Sequence, residues 1–93
     1  MTEKLGYYAG RLTTDTILEM KVSVYYAGYK PTGLRINIDT MQRLLNRENS
    51  FSELDDIGNW IPMNAFDVSV YLGLDVIYDE SMPAESCKID FVK

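Results

Sequence analysis

Apolar and polar residues alternate one by one over residues 34–38 and 87–92, and this alternation constrains the fold more than any other feature of the chain. Successive side chains of a β-strand point to opposite faces of a sheet, so the pattern predicts two strands that each bury one face. Residues 66–72 and 74–78 are also strand-like, and Gly73 between them predicts a bulge or a turn. The last two strands together predict a C-terminal hairpin. The side chains predicted to face inward in the two alternating segments are Leu34, Ile36, Ile38, Cys87, Ile89 and Phe91.

The segment that precedes the first alternating strand carries helix signals at both ends. Thr16 and Glu19 form a capping-box pair, in which the threonine oxygen accepts from the third helical amide. Gly28 supplies a left-handed C-terminal cap, and Pro31 follows it. The competing interpretation is a strand, because alternate residues over 20–26 are apolar and Val and Tyr favour sheets. The helical interpretation places Ile17, Met20, Val24 and Ala27 on one face, with Leu18, Val22 and Tyr25 beside it and Glu19, Ser23 and Tyr26 opposite.

Shorter elements are predicted on both sides of this segment. Residues 41–47 have apolar side chains at i, i+3 and i+4, which predicts a short helix capped by Asp39 or Thr40. Residues 52–58 predict one further helical turn, because carboxylates lie near its start and a glycine closes it. Residues 5–12 are apolar and interrupted by glycine, which suits an edge strand or an extended arm.

These elements predict an α+β fold, in which one or two helices pack on one face of a small, mostly antiparallel sheet. No repeat, low-complexity tract or Pro/Gly/Ser-rich linker divides the chain. Residues 1–93 are therefore expected to form a single domain, with residues 1–12 as its edge strand or extended arm. A domain of this length has room for one core.

Few residue types that carry chemistry are present. The chain contains no histidine, which removes the commonest general base and the commonest zinc ligand. It has no Gly-rich phosphate loop, and its carboxylates fit no calcium loop. Cys87 lies in the inward phase of the last strand, so we expect a buried core thiol. The sequence therefore predicts no catalytic residue, no metal site, no cofactor, no small-molecule substrate and no enzymatic activity.

Acidic residues are concentrated in the second half of the chain. Residues 1–50 carry seven Lys and Arg against five Asp and Glu, whereas residues 51–93 carry two against nine. Such a surface repels phosphate backbones, so direct binding of nucleic acid is not expected. Residues 1–6 lack the apolar stretch of a signal peptide, and no apolar run reaches the ~18 residues of a membrane span. We therefore expect a cytoplasmic location without membrane contact.

Aromatic residues are the main candidates for contact with a partner. The chain has seven tyrosines, and neighbours such as Tyr7 and Tyr8 cannot both point into one core from a strand. Exposed tyrosine favours interfaces because it joins a large contact area to a polar tip, although a place at the rim of the core is an alternative. The predicted partner is another protein or a second copy of the chain. The predicted interface residues are Tyr7, Tyr8, Tyr26, Tyr29 and Trp60, with the acidic Asp55, Asp56, Asp79 and Glu80.

From residue 34 onward, the order of features resembles the C-terminal part of the peripheral domain in tailed-phage major capsid proteins. The matching pieces are the strand at 34–38, the cap and helix at 39–45, the segment 71–77, and Met82 with Pro83 before a final strand. The resemblance implies a small phage or prophage accessory protein that acts through protein–protein contacts, in the virion or the bacterial host cytoplasm. The alternative is an acidic inhibitor that imitates nucleic acid and blocks a host nucleic-acid-binding protein.

Overall fold

The computed structural model describes residues 5–47, 51–54 and 60–93. Within these ranges the chain forms seven β-strands, two α-helices and one 3-10 turn. In chain order the elements are β1 (Tyr7–Ala9), α1 (Thr14–Tyr26), β2 (Lys30–Ile36), α2 (Ile38–Arg47), β3 (Phe51–Leu54), β4 (Trp60–Pro62), the 3-10 turn (Ala65–Asp67), β5 (Val70–Tyr71), β6 (Leu74–Tyr78) and β7 (Ser86–Val92).

Five of these strands form one mixed sheet in the order β1-β7-β2-β6-β5. β2 lies at the centre, antiparallel to β7 and parallel to β6. The two edge strands β1 and β5 pair antiparallel with β7 and β6. Three of the four pairings are antiparallel, so the predicted α+β class with a mostly antiparallel sheet is confirmed.

The predicted C-terminal hairpin is wrong, because β2 lies between β6 and β7. Leu34 and Ile36 of β2 are fully buried, and in the register of the sheet they face Ile89 and Cys87 of β7. The connection after β6 crosses the end of β2, where Asp79 N–H donates to the Ile36 carbonyl oxygen at 3.0 Å. An alternating pattern specifies which face of a strand is buried, but it does not specify which strand lies beside it.

Both helices share one core with the same face of the sheet. Buried residues of α1 and α2 join the inward side chains of β2, β6 and β7 in a single cluster, in which the Met20 sulfur lies 3.7 Å from the Cys87 sulfur. The prediction of helices on one face and that of a buried Cys87 are therefore confirmed. The core residues are Leu12, Ile17, Met20, Val24, Leu34, Ile36, Met41, Leu44, Leu45, Ala65, Val68, Leu74, Cys87 and Ile89.

The segment for which helix and strand were both considered forms the helix α1, which begins before the predicted cap. Thr13 is the N-cap residue, and its hydroxyl oxygen accepts from Thr16 N–H at 3.1 Å. The prediction that Thr16 caps the helix is therefore wrong. Thr13 offers the same oxygen one turn earlier, and the added turn places the Asp15 carboxylate near the positive end of the helix dipole.

The C-terminal end of α1 follows the prediction. Gly28 adopts a φ of +95°, in the left-handed region that glycine enters with little strain. Gly28 N–H donates to the Tyr25 carbonyl at 3.1 Å, and Tyr29 N–H donates to the Val24 carbonyl at 3.2 Å. This pair of bonds is a Schellman motif, which ends the helix and turns the chain towards β2.

α2 also begins earlier than predicted. The Asn37 side-chain oxygen accepts from Asp39 N–H at 2.8 Å, so Asn37 takes the capping role that was predicted for Asp39 or Thr40. Ile38, predicted as the last inward residue of the strand, is instead the first residue of the helix, because β2 ends at Ile36. The apolar face predicted for this helix is buried as expected; it consists of Met41, Leu44 and Leu45.

Two other local predictions are wrong. Residues 52–54, predicted to enter a helical turn, belong to β3, whose backbone pairs with β4; residues 55–58 of that turn lie outside the described residues. Residues 66–72, predicted as a strand, form part of the 3-10 turn and then the two-residue β5. The Asn64 side chain accepts from Phe66 N–H at 2.9 Å, and this local bond starts the turn in place of a strand.

Candidate functional site

Helix α1 carries a second apolar face, which points away from the core. Leu18, Val22, Tyr25 and Tyr26 recur at i, i+4, i+7 and i+8, a spacing that places them on one side of a helix. Their exposed fractions are 43%, 42%, 67% and 81%. The two tyrosine rings contact each other edge to face, with centroids 5.7 Å apart. These four residues are called the α1 outer surface.

The α1 outer surface borders a shallow groove of about 280 Å³. Pro31 at the start of β2 and Lys21 of α1 complete the lining of this groove. The Lys21 ammonium donates to the Leu72 carbonyl oxygen at 2.6 Å, which holds the lysine side chain in place. The groove therefore offers mainly apolar contact area beside one tethered cation.

The opposite side of α1 is buried in the core. Ile17 and Val24 are fully buried, and Met20 is 9% exposed. A helix that is apolar on opposite sides is usually covered on both of them. In the described part of the chain only the inner side of α1 is covered. The outer side is therefore an apolar surface exposed to solvent.

One acidic side chain lies at the N-terminal end of the α1 outer surface. Asp15, in the first turn, is exposed and precedes Leu18 by three residues, so it lies on the same side of the helix. Lys30, the first residue of β2, is exposed, but it pairs with Val92, next to the inward Phe91, so its side chain points to the face of the sheet away from α1. The α1 outer surface is therefore acidic at its N-terminal end.

The predicted interface tyrosines do not gather into one site. Tyr7 is exposed on β1, whereas its neighbour Tyr8 is half-buried and packs against the core. Tyr26 is exposed on α1, whereas Tyr29 is half-buried against Phe91, with ring centroids 4.8 Å apart. Two of these tyrosines therefore lie at the rim of the core, and two are open to a partner.

The predicted acidic interface residues are also dispersed. Asp79 is half-buried after β6, and Glu80 beside it is exposed. The Ser81 hydroxyl and N–H donate to Asp79 Oδ1 at 2.6 and 2.9 Å, and these bonds, with a smaller contribution from Arg35, hold the pKa of the Asp79 carboxyl below its usual value. Asp55 and Asp56 lie outside the described residues. The backbone of Trp60 belongs to β4, whereas its side chain is outside the described part of the chain.

Arginines pair with several carboxylates of the C-terminal half. On the face of the sheet opposite the helices, Arg35 of β2 lies 3.0 Å from Asp90 of β7 and 3.4 Å from Asp79. The bond to Asp90 is the main reason why the pKa of the Arg35 guanidinium is raised. Arg47 of α2 lies 3.4 Å from Glu85. These three carboxylates present less free negative charge than the sequence alone indicates.

The groups best suited to chemistry are engaged in packing. Cys87 is fully buried, and burial raises the pKa of its thiol to about 12, so the thiol stays protonated at neutral pH. Burial also raises the pKa of Tyr78, whose hydroxyl donates to the Ala65 carbonyl. Among residues 5–47, 51–54 and 60–93, no three His, Cys, Asp or Glu side chains lie together as metal ligands. Cys87 and Tyr78 are therefore committed to packing.

Sequence reasoning misses three members of the α1 outer surface. Leu18, Val22 and Tyr25 are predicted to flank the buried face, whereas the helix turns them towards solvent. The signal that could have found them is the scarcity of charge: α1 has 13 residues, and its sequence includes one Asp, one Glu and one Lys as its only charged side chains. A solvated helix face normally carries more charge than that.

Neither helix in the described ranges has the length and the apolar character needed to cross a membrane. Comparison of the chain with models of protein families found no matching family. Neither curated proteins nor solved structures gave a match. A function for this chain therefore has to rest on the contacts, exposure and charges of its own residues.

Proposed function

We propose that this is a non-enzymatic protein that acts through contacts with other protein chains, and that the α1 outer surface is its principal contact. The observation that carries the proposal is the exposure of Leu18, Val22, Tyr25 and Tyr26 on one side of one helix. Tyrosine is enriched at the positions that dominate interface energetics, because its ring supplies area with little rotamer entropy to lose.

The area of the α1 outer surface supports this proposal. A tyrosine side chain offers about 150–250 Å², so Tyr25 and Tyr26 together expose roughly 220–370 Å². Leu18 and Val22 extend the same patch. The largest apolar patch on a typical monomer is about 300–600 Å², and patches of that size often serve a function.

The occupant we favour is a second copy of the chain, with the two α1 helices antiparallel about a two-fold axis near Val22. Leu18 of one copy then faces Tyr26 of the other, because each lies four residues from Val22. In this arrangement the two Asp15 carboxylates lie at opposite ends of the contact. A parallel pair would instead place the two Asp15 carboxylates side by side.

Substitution at the centre of the surface tests the contact. Sedimentation equilibrium should show a dimer of the unmodified protein, and Val22→Glu should raise the dimer dissociation constant by at least about 100-fold, because a carboxylate would be buried without a partner. Ser23→Glu is the matched control: Ser23 is exposed on the same helix outside the α1 outer surface, so this variant should keep the dimer.

Removal of the Asp15 charge tests the antiparallel orientation. Asp15→Asn should leave the dimer dissociation constant unchanged, because the two carboxylates are far apart in an antiparallel pair, whereas it would strengthen a parallel pair by removing their repulsion. A protein that stays monomeric at ~100 µM, or a Val22→Glu variant with an unchanged dimer, would contradict the proposed contact.

The alternative of an acidic nucleic-acid mimic has less support from the geometry. A mimic needs an array of unpaired carboxylates, whereas Asp79, Glu85 and Asp90 each pair with an arginine. Partner binding that weakens steeply with added salt and responds to charge reversal at Glu80 would favour this alternative. The phage or prophage origin implied by the resemblance stays a prediction.

A further inference from the structure

Among the described residues, β1 is an edge strand with no neighbour on one side. On its other side, Ile89 N–H of β7 donates to the Gly6 carbonyl at 2.6 Å, and Gly10 N–H donates to the carbonyl of Glu85, just before β7, at 2.8 Å. Because bonding residues alternate along an antiparallel strand, the backbone groups of Tyr7 and Ala9 point away from β7. Within the described residues, the sheet has no strand beyond β1.

A groove lies beside this free edge, on the face of the sheet that carries the helices. It has a volume of about 320 Å³ and lies between β1 and α1. Every second side chain of a strand added to β1 would point towards α1, as the side chain of Tyr8 does. The groove is therefore placed to receive those side chains. Its lining consists of Leu5, Gly6, Tyr7 and Tyr8 on one side and Thr16, Glu19, Met20 and Ser23 of α1 on the other.

We propose that this groove is a strand-addition site for an extended peptide segment of another protein, with a basic side chain at the position that faces the groove. The backbone of the segment bonds to Tyr7 and Ala9 and continues the sheet, the mode of recognition in which main-chain bonds give affinity and side-chain pockets give specificity. Glu19 is exposed and is the one charged residue in the lining, so the site complements a lysine or an arginine.

A second copy of the chain fits this site poorly. Symmetric pairing of two β1 strands would place two acidic grooves side by side, each with its own Glu19. The groove and the α1 outer surface share no residue, because the groove uses Thr16, Glu19, Met20 and Ser23 of α1, whereas the α1 outer surface consists of Leu18, Val22, Tyr25 and Tyr26. Loss of one contact therefore leaves the other testable.

Synthetic peptides of alternating Thr and Val test the site directly. Three seven-residue peptides, with Lys, Glu or Ala at the central position, are titrated into the full chain by fluorescence anisotropy. The Lys peptide should bind at least about tenfold tighter than the Glu peptide. Amide hydrogen exchange should show new protection at Tyr7 and Ala9, whose N–H groups become donors to the added strand.

Two variants distinguish strand addition from non-specific peptide binding. Ala9→Pro removes an N–H that faces away from β7, and an edge strand tolerates this change. The variant should weaken binding of the Lys peptide at least about tenfold, because one main-chain bond to the added strand is lost. Ala9→Ser keeps the N–H and is the matched control, with unchanged affinity. Glu19→Lys should reverse the preference, so that the Glu peptide binds tighter than the Lys peptide.

The proposal is overturned if none of the three peptides binds, or if Glu19→Lys leaves their order unchanged. Protection of Tyr7 and Ala9 that rises with protein concentration in the absence of peptide would show self-pairing of β1 and would also overturn it. If circular dichroism shows that Ala9→Pro disturbs the fold, the peptide preference of Glu19→Lys is the deciding measurement. That variant should keep the fold, because Glu19 is exposed and outside the core.

Discussion

The hydroxyl of Tyr78 joins the sheet to the irregular segment before β5. It donates to the Ala65 carbonyl oxygen and lies 3.3 Å from the Val68 carbonyl oxygen. Ala65 and Val68 are themselves buried, so their carbonyl groups need internal partners. Val68 N–H gives the Ala65 carbonyl a local partner at 3.1 Å, and the Tyr78 hydroxyl adds a partner from a strand 10 and 13 residues away, which no local pattern around residues 65–68 encodes.

Tyr78→Phe is expected to lower the free energy of unfolding by about 1 kcal/mol, because the buried Ala65 carbonyl loses one of its two donors while the ring still packs. Urea denaturation followed by circular dichroism measures the change. Tyr25→Phe, at an exposed ring, serves as the control and should stay within about 0.5 kcal/mol of the unmodified protein. Equal stability of the two variants would mean that the Tyr78 hydroxyl does not hold this segment.

At the scale of elements, the ends of α1 differ in how well the sequence predicts them. Gly28 marks the C-terminal end because few other residues enter the left-handed region without strain. The N-terminal end is ambiguous, since Thr13, Thr14 and Thr16 can all offer a capping oxygen. The structure selects Thr13, while the Thr14 hydroxyl lies 2.6 Å from the Tyr71 hydroxyl of β5.

Thr13→Ala is expected to lower the free energy of unfolding by about 1 kcal/mol, because Thr16 N–H loses the oxygen that accepts from it. Thr13→Ser keeps that oxygen and should retain most of the stability. The comparison is made by thermal and urea unfolding of the two variants. A Thr13→Ala protein as stable as Thr13→Ser would show that water satisfies the helix end equally well.

The whole molecule depends on one core centred on β2 and its two neighbours. Ile89 of β7 is fully buried opposite Leu34 of β2, whereas Val92 near the end of the same strand is 53% exposed. A small domain has a free energy of unfolding of about 5–15 kcal/mol, so one large cavity in this core removes a substantial part of it.

Ile89→Ala is expected to lower the free energy of unfolding by about 2–5 kcal/mol, because the truncated side chain leaves a cavity that the neighbouring strands fill only in part. Val92→Ala is the matched control on β7 and should change stability by about 0.5 kcal/mol or less. Unfolding of both variants with guanidinium chloride gives the denaturant concentration at the midpoint of each transition. Similar midpoints would contradict the position of Ile89 at the centre of the core.

Patterns that repeat over several residues were sufficient for the inward faces of β2 and β7 and for the apolar face of α2. Single-residue signals were less reliable, because Asn37 and Asn64 compete as caps with the residues that the patterns favour. Of the four residues of the α1 outer surface, only Tyr26 was predicted as an interface residue. A spacing argument cannot tell which apolar side of α1 the sheet will cover, since both sides are apolar.

The sequence by itself determined the fold class, the buried face of each alternating strand and the end of α1 at Gly28, because periodicity and backbone preference are local properties. Only the tertiary structure decided that β2 separates β6 from β7, that Arg35 pairs with both Asp79 and Asp90, and that no described residue covers one apolar side of α1. These features depend on which distant segments meet, and the free energy of burying one shared core selects that arrangement.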